Sequence, residues 1–463
     1  MGTLLIKNGM LFDSHRSHKA DMLVRDGIIE EIAPSIDETL LPRDADVVDA
    51  DGLCVLPGII DAHTHYHLVS RGTVTADSFE EGSKVAAFGG VTTVIDFADH
   101  EKGKTLIESA TSRITAMKKG MHVDFALHQG IYRLPSDIDK ELKELKEIGV
   151  TAIKIFTTYK NVGYLMEKDT LKDVFTACKR NGMLVTVHCE DDEYLEEIAQ
   201  LYTGDFSPKD HPLLRPSEAE KRAIEMVGSI AKECDMSIYI VHVSSKEGLK
   251  KARELKKSGV DIIIETTPHY LFLENSLLEG EKASLYVMTP PLRKEEDNIA
   301  LQDALVAGHI DVVATDHCSF TYEQKLISSD CRTIYPGIPG TEELLPLLHN
   351  FAVASSRMNM SQMVAFLSTN PAQIFGIYPQ KGSLLVGTDA DFILFDPDEI
   401  WTIEKDTIHS AANYSVYDGT TVLGKVVMTY LRGNLIMGDD VYLGKAIDGE
   451  FISSKDPLMS YER

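Results

Sequence analysis

The sequence predicts an α/β protein in which a (β/α)8 TIM barrel carries a small β-sandwich domain built from both chain termini. Two observations lead to this fold class. Between about residues 57 and 379, eight short apolar runs alternate with amphipathic helical stretches, and eight parallel strands joined by crossover helices close into a barrel. At both ends of the chain, short alternating segments with tight turns indicate antiparallel strands instead.

The same pattern divides the chain into three parts. Residues 1–56 and 380–445 are predicted to form the small β domain, because both ends contain short alternating strands joined by tight turns. Residues 57–379 are predicted to form the barrel. Residues 446–463 have weak periodicity and are expected to be a C-terminal tail that either packs on a neighbouring subunit or stays mobile.

The eight predicted barrel strands are mostly apolar. Strands of a parallel sheet are buried on both faces, so they lack the polar alternation of a half-exposed strand. In chain order the runs are IIDAH, TTVIDF, HVDFALHQ, TAIKIF, MLVTVH, SIYIVH, DIIIETT and DVVATD.

Composition excludes two classes of partner. The 463 residues carry a formal net charge of -26, and so acidic a protein repels nucleic acid phosphates and anionic lipid. No apolar run approaches the ~20 residues that span a bilayer. The six cysteines contain no CxxC pair and are expected to be free thiols, which indicates a reducing compartment and a cytoplasmic location. We therefore expect a small-molecule substrate, no nucleic acid and no membrane.

Ionisable residues cluster at the predicted carboxyl ends of the barrel strands. They are His63, His65, Lys154, His188, His242 and Asp316. Barrel enzymes build their active sites on that face, so these side chains should meet in one mouth. A lone histidine there is usually a hydrogen-bonded core residue, but four histidines with a carboxylate form a ligand set suited to zinc or manganese. His67 falls beyond the strand, and we place it at the rim or facing the substrate.

Lys154 lies in an otherwise apolar strand. Burying its ammonium costs several kcal/mol unless the charge is paired or neutralised, and the ordinary alternative is a side chain that reaches to the rim. Beside metal ions, however, a further cation would be repelled. A neutral lysine amine that has captured carbon dioxide becomes a carbamate, which is a negative ligand able to bridge two ions.

Taken together, these motifs resemble the hydantoinase and dihydropyrimidinase family of cyclic amidohydrolases. The segments that carry the resemblance are PGIIDAHTH, GTVTADSFEEG, IKIFTTYK, VHCED, VHVSS, MTPPLR and ATDHCSF, and it extends over about residues 3–445. The resemblance implies a binuclear metal hydrolase that opens cyclic ureides at an amide bond and yields N-carbamoyl amino acids. It makes hydantoins and dihydropyrimidines the leading substrates and also implies a homotetramer.

The resemblance implies two divalent metal ions per subunit, zinc in the first place, with manganese, cobalt or iron as alternatives. One ion would be held by His63, His65 and Asp316, the other by His188 and His242, and carbamylated Lys154 (N6-carboxylysine) would bridge the two. The carbamate requires carbon dioxide as a further component.

For catalysis, the resemblance implies that Asp316 accepts the proton of the attacking water and returns it to the departing ring nitrogen. Tyr159 would donate a hydrogen bond to the developing oxyanion. Thr289 would contact the ring amide. Taken alone, Tyr159 and Thr289 would be an ordinary rim tyrosine and loop threonine.

The sequence departs from the family at three positions. Thr289 replaces a common serine, Pro336 a common asparagine, and His67 a common aspartate. Because proline has no backbone N–H, the ring would be held through the carbonyl of Pro336 or through the amide of Gly337.

Three alternatives stay open at this point. An allantoinase has the same general chemistry. A dihydroorotase would need an arginine two residues past His65, which this chain lacks, although Arg71 is a conceivable substitute. A non-catalytic scaffold resembling the collapsin-response mediator proteins would have lost metal ligands, whereas here the full set is present.

Overall fold

The computed structural model of the protein describes residues 2–444 and 447–457. Its strands in chain order are β1 (Thr3–Phe12), β2 (Ser17–Arg25), β3 (Ile28–Ala33), β4 (Asp46–Asp49), β5 (Cys54–Pro57), β6 (Ile59–Thr64), β7 (Val69–Ser70), β8 (Thr73–Val74), β9 (Val91–Ala98), β10 (Asp124–Gly130), β11 (Ala152–Phe156), β12 (Leu184–His188), β13 (Ile238–Ile240), β14 (Ile262–Thr266), β15 (Val312–Val313), β16 (Phe392–Thr402), β17 (Thr421–Leu431), β18 (Asn434–Gly438) and β19 (Val441–Tyr442).

The helices surround the central strands. In chain order they are α1 (Phe79–Phe88), α2 (Leu106–Met117), α3 (Ile138–Glu147), α4 (Lys168–Asn181), α5 (Asp192–Leu201), α6 (His211–Leu214), α7 (Ser217–Glu233), α8 (Lys246–Lys257), α9 (Pro268–Phe272), α10 (Glu295–Val306), α11 (Tyr322–Lys325), α12 (Leu344–Leu348), α13 (Met360–Val364) and α14 (Asn370–Ile374). Among the described residues, no helix has both the length and the apolar character needed to cross a membrane.

Eight parallel strands form the barrel. They are hydrogen-bonded in the order β6-β9-β10-β11-β12-β13-β14-β15. A parallel bridge between Thr64 and His317 joins the first strand to the segment after the last one. Each of the eight apolar runs overlaps one of these strands, so the predicted fold class is confirmed.

The terminal segments form a separate nine-stranded sheet. Its strand order is β19-β18-β17-β16-β5-β1-β2-β3, with β4 paired to β1. The two chain ends meet where β5 pairs antiparallel with β16, for example at Val55 opposite Leu394. The sheet therefore takes strands from both termini, as expected. The boundaries 1–56, 57–379 and 380–445 stay a prediction.

Burial explains why the two sets of strands have different sequence patterns. Every residue of β6, β9 and β12 is buried, because each strand faces both the barrel interior and the surrounding helices. In β17, by contrast, buried residues alternate with more exposed ones along the first half of the strand. An apolar cluster that includes Ile60, Ala126 and Leu184 fills the interior below the barrel mouth.

The described part of the C-terminal segment, residues 447–457, packs on the barrel of its own chain. The amide of Ile452 donates to the carbonyl of Phe125, and the amide of Ser454 donates to Gly149. Ile452 is buried with the interior cluster. Residues 447–457 thus have partners within their own chain, and packing of the tail on a neighbouring subunit stays a prediction. The rest of the predicted tail, 446 and 458–463, lies outside the described residues.

A buried ion cluster joins the small β domain to the barrel. The Lys381 ammonium contacts Asp391 at 2.5 Å and Asp389 at 2.8 Å, and it also contacts Asp124 at the start of β10. Arg432 pairs with Asp124 from the other side. Burial lowers the pKa of Lys381, but the three carboxylates raise it above its ordinary value. The lysine therefore stays charged and neutralises this acidic group.

We expect Lys381→Met to lower the free energy of unfolding by about 3–5 kcal/mol, since it leaves buried carboxylates unpaired. Urea denaturation measures the change. Lys19→Met is the matched control, because the Lys19–Asp51 pair is exposed at the surface, where an ion pair contributes little to stability. Equal midpoints for the two variants would contradict the assigned role of the cluster.

Candidate metal centre

A cavity of about 290 Å³ opens at the carboxyl ends of the barrel strands. The predicted residues that line it are His63, His65, Lys154, Tyr159, His188, His242, Thr289, Asp316, Pro336 and Gly337. Residues far apart in the sequence therefore meet at the predicted face of the barrel. His67 is exposed, does not line this cavity, and packs its ring on Phe79.

A bulge in β6 orients the first two histidines. Opposite β9, β6 has one extra residue between Asp61 and Thr64. Ala62 belongs to the interior cluster, whereas His63 and His65 line the mouth directly above it. Bulges next to active sites commonly redirect side chains in this way. The bulge thus interrupts the alternation of side-chain directions that the sequence predicts for this strand, and it does so where the site begins.

His63 and His65 converge on one carboxylate oxygen. Oδ1 of Asp316 lies 3.2 Å from Nε2 of His63 and 3.1 Å from Nε2 of His65. Burial alone would raise the pKa of Asp316, but the two histidines lower it below its ordinary range. Asp316 is therefore an ionised carboxylate in the mouth.

His188 and His242 form the other side of the site. Their ring centroids are 4.6 Å apart. Nε2 of His188 lies 2.8 Å from Oε2 of Glu190, and donation of its N–H to that carboxylate leaves the lone pair on Nδ1. Nδ1 of His242 is buried and has no hydrogen-bond partner among the described residues. Such an unsatisfied nitrogen is costly unless a ligand completes it.

Glu265 is a site residue that the sequence analysis missed. Its carboxylate lies 2.8 Å from Nδ1 of His63 and accepts hydrogen bonds from the amide of His242 and the hydroxyl of Tyr239. It therefore fixes the orientation of His63 and leaves Nε2 to face the mouth. Burial raises the pKa of Glu265 to about 8. A glutamate within the apolar run DIIIETT was the available signal.

Burial also determines the protonation of the histidines. It lowers the pKa of His63, His188 and His242, so these imidazoles are neutral near pH 7. A neutral imidazole offers a lone pair to a metal ion. The donor set is therefore ready to bind a cation.

Lys154 is buried beneath the cavity, where its Nζ lies 5.0 Å from the ring centre of Phe97 and 5.2 Å from that of Phe156. Burial lowers its pKa to about 8, although Glu265 and Asp316 oppose the shift. This buried position excludes the alternative in which the Lys154 side chain reaches to the rim. A substantial fraction of the amine is neutral near pH 8.

Tyr159 and Thr289 lie together at the wall of the cavity. Burial raises the pKa of Tyr159 to about 12, while Arg215 and a hydrogen bond with Thr289 oppose this change. The phenol therefore keeps its proton and can donate it. Tyr159 has a φ of 69°, which is a strained value for a non-glycine residue.

Gly337 is already engaged within the protein. Its N–H donates to the carbonyl of Val287 at 3.0 Å, and its carbonyl accepts from Lys325. A Cβ at this position would lie 2.4 Å from the carbonyl oxygen of Cys318. The Gly337 N–H thus already has an acceptor within the protein, and the contacts of Gly337 and Pro336 with the substrate ring stay predictions.

These residues fit a metal ion. One ligand atom each from His63, His242 and Asp316 lies within 4.8 Å of the others. Imidazole nitrogens and a carboxylate suit divalent transition metals. A second described group, Asp124, Asp389 and Asp391, has similar spacing but already surrounds Lys381. The barrel mouth is thus the better candidate metal centre.

Comparison with known proteins agrees with the geometry. The model of the amidohydrolase family matches residues 54–436. The chain is 34% identical to a D-hydantoinase of Geobacillus stearothermophilus, over 97% of this chain and 96% of that protein. It is 34% identical to a dihydropyrimidinase of Dictyostelium discoideum, over 95% and 88% of the respective chains.

The fold is similar to that of solved relatives. A crystal structure of dihydropyrimidinase from Brevibacillus agri superposes with a TM-score of 0.94 at 31% identity, covering 100% of both chains. An L-hydantoinase (dihydropyrimidinase) of Arthrobacter aurescens superposes with a TM-score of 0.88 at 27% identity, covering 98% of this chain and 100% of that one.

We expect Glu265→Gln to weaken metal binding by about 10–100-fold, because the amide no longer holds the Nδ1–H of His63 as a carboxylate does. Competition with a chromophoric chelator measures the affinity. Glu343→Gln is a matched control, since Glu343 is also buried but bonds to Ser415 and does not line the cavity. Unchanged affinity in the Glu265 variant would refute this role.

Proposed function

The chain belongs to the amidohydrolase family, and we propose that it hydrolyses the ring amide of hydantoins and dihydropyrimidines at a binuclear metal centre to give N-carbamoyl amino acids. It is a cyclic amide hydrolase. The convergence of four histidines, a lysine and an aspartate in one cavity is the observation that carries the proposal.

We assign one ion to His63, His65 and Asp316 and the other to His188 and His242. When bound, the two ions supply Lewis-acid activation of water and of the substrate carbonyl. The neutral imidazoles of His63, His188 and His242 and the ionised Asp316 support this assignment.

The protein's own groups complete the chemistry. Asp316 accepts a proton from the attacking water and returns it to the departing ring nitrogen. Tyr159 keeps its proton and donates a hydrogen bond to the oxygen that becomes negative during attack. The Thr289 hydroxyl and the Pro336 carbonyl bind the polar edge of the ring, and both residues line the cavity.

Lys154 is proposed to be carbamylated. A neutral amine attacks carbon dioxide and releases one proton to give a carbamate, and burial supplies a substantial neutral fraction at mild pH. The carbamate would replace a cation by an anion whose oxygens could serve as metal ligands. A protonated ammonium at this position would repel the metal ions.

Three further properties complete the proposal. Zinc is proposed as the resident metal because the nitrogen and oxygen donors suit it. A cytoplasmic location is proposed because all six cysteines are free thiols. The homotetramer is proposed from the resemblance to hydantoinases alone.

A ring-opening assay tests the activity. Dihydrouracil, phenylhydantoin, allantoin and dihydroorotate are offered to metal-loaded protein and to a chelator-stripped sample. We expect metal-dependent turnover of one of the first two. Turnover confined to allantoin or to dihydroorotate would assign the chain to that activity instead. Metal-loaded protein that opens none of the four would overturn the proposed substrates, and protein that binds no metal would favour a scaffold.

Lys154→Arg tests the carbamate. Arginine keeps the positive charge and cannot be carbamylated at mild pH, so we expect the variant to lose most bound metal and at least about 10²-fold in kcat. Metal analysis and turnover measure both effects. For the wild type, reconstitution without carbon dioxide should give low metal content that bicarbonate restores. Full metal content in the arginine variant would contradict carbamylation.

A further inference from the structure

We propose that Arg71 forms an anion subsite at the cavity mouth, so that the preferred substrates are cyclic ureides with a carboxylate at the end of a short apolar arm. This inference rests on the proposed function and narrows its substrate class. Arg71 has no role in the proposed hydrolytic steps.

Arg71 sits on a fixed hairpin above the site. The strands β7 and β8 pair across a turn formed by Arg71 and Gly72, whose φ angles are 49° and 81°. Positive φ at both turn positions normally selects asparagine or glycine, so arginine is unusual there. The side chain of Gln324 anchors the hairpin through Thr73 at 2.7 Å and the carbonyl of Val74 at 3.0 Å.

The arginine lies where two cavities meet. It lines the metal cavity and also an outer cavity of about 350 Å³, and both share Tyr159, Thr289 and Pro336. Its positive charge opposes the effect of burial on the pKa of Tyr159 and Tyr164, which places the guanidinium near the walls of the inner cavity. A substrate arm that extends outward from the ring would pass this residue.

Arg71 has no acidic partner within the described part of the chain, where no carboxylate lies within 4.0 Å of it. Its Nη1 donates a hydrogen bond to the carbonyl of Arg332 at 3.4 Å. The other basic groups of the outer cavity are neutralised: Arg215 by Glu190, Arg332 by Asp330 and Lys160 by Glu196. In a chain of net charge -26, an arginine left without a partner at the site entrance is free to bind an anion.

The surroundings define the ligand. Leu68, Val69 and Val162 line the same cavity and provide apolar contacts for methylene groups. A guanidinium binds a carboxylate through two parallel hydrogen bonds. The acidic residues of the outer cavity are partnered, Asp192 with the Thr158 hydroxyl and Glu196 with Lys160. An uncharged substrate arm therefore makes weaker interactions with Arg71 than an anionic arm does.

Two hydantoins test the subsite, one with a propionate arm and one with the isosteric propionamide arm. For the wild type we expect kcat/KM to favour the propionate by about tenfold or more at low salt. Arg71→Gln should remove that preference and leave propionamide turnover within about twofold of the wild type. Arg332→Gln is the matched control, because it removes the same charge from the same rim and should keep the preference.

Equal turnover of the two substrates by the wild type, or a preference that survives in Arg71→Gln, would overturn the subsite alone. A wild type that opens neither these nor any unsubstituted cyclic ureide would overturn the proposed function, and the subsite with it.

A different observation carries a second inference: we infer that Lys325 is a positioning residue for the substrate loops. It is fully buried, and its ammonium donates to the carbonyls of Val287 at 2.6 Å, Tyr335 at 2.8 Å and Gly337 at 2.9 Å. Among the described residues, no carboxylate lies within 4.0 Å of it. Val287 precedes Thr289, and Gly337 follows Pro336, so one ammonium ties together the two loops that bind the ring.

Burying Lys325 costs free energy, and this cost brings no benefit unless the two loops depend on its hydrogen bonds. A buried ammonium without a counter-ion loses its hydration, and methionine would fill the same volume without that penalty. A buried lysine with only carbonyl partners therefore indicates a positional role, and this role also rests on the proposed function.

Lys325→Met should raise KM for a cyclic ureide about tenfold or more, with unchanged metal content. Lys381→Met is the control, since it removes a buried lysine that does not line the metal cavity and should leave KM within about twofold. If Lys325→Met does not fold, Lys325→Gln is used, and its amide should give a smaller rise in KM. An unchanged KM in a folded Lys325 variant would overturn the inference and leave the proposed function intact.

Discussion

The site depends on closure of the barrel between its first and last strands. Thr315 and Asp61 are 254 residues apart in the chain, and the amide of Thr315 donates to the Asp61 carboxylate at 3.0 Å. The His65 amide also donates to the carbonyl of His317. Because β15 has only two residues, these contacts provide much of the closure. They bring Asp316 to His63 and His65, and without them no common ligand set would exist.

Closure of the barrel brings several ionisable groups together in a buried mouth, and the proposed chemistry accounts for their charges. Histidines, a lysine and two acids share a buried mouth, where each charge is expensive. Burial keeps His63, His188 and His242 neutral, and it shifts Lys154 toward its neutral form. Asp316, which lines the cavity, is held ionised. The protein thus presents lone pairs and one anion to the cavity. Three of its residues, Tyr159, His242 and Asp316, adopt positive φ, which shows that the surrounding packing imposes this geometry.

Much of this could be predicted from sequence, because burial of parallel strands leaves a local signal. The eight apolar runs predicted the barrel, and the residues at their ends predicted which side chains line its mouth. Glu265 was missed because its role depends on a contact with His63 across 202 residues. The β6 bulge depends on pairing with β9, and the use of the Gly337 amide depends on a contact with Val287 in another loop. Residues 447–457 carry too little periodicity to predict where they pack.

Anomalous diffraction from crystals of the metal-loaded protein tests the central claim most directly. We expect two metal peaks in the barrel mouth, one against His63, His65 and Asp316 and one against His188 and His242. Electron density beyond Nζ of Lys154 should extend by a carboxylate between the peaks. A single peak, no peak, or an unmodified lysine between two metals would contradict the account.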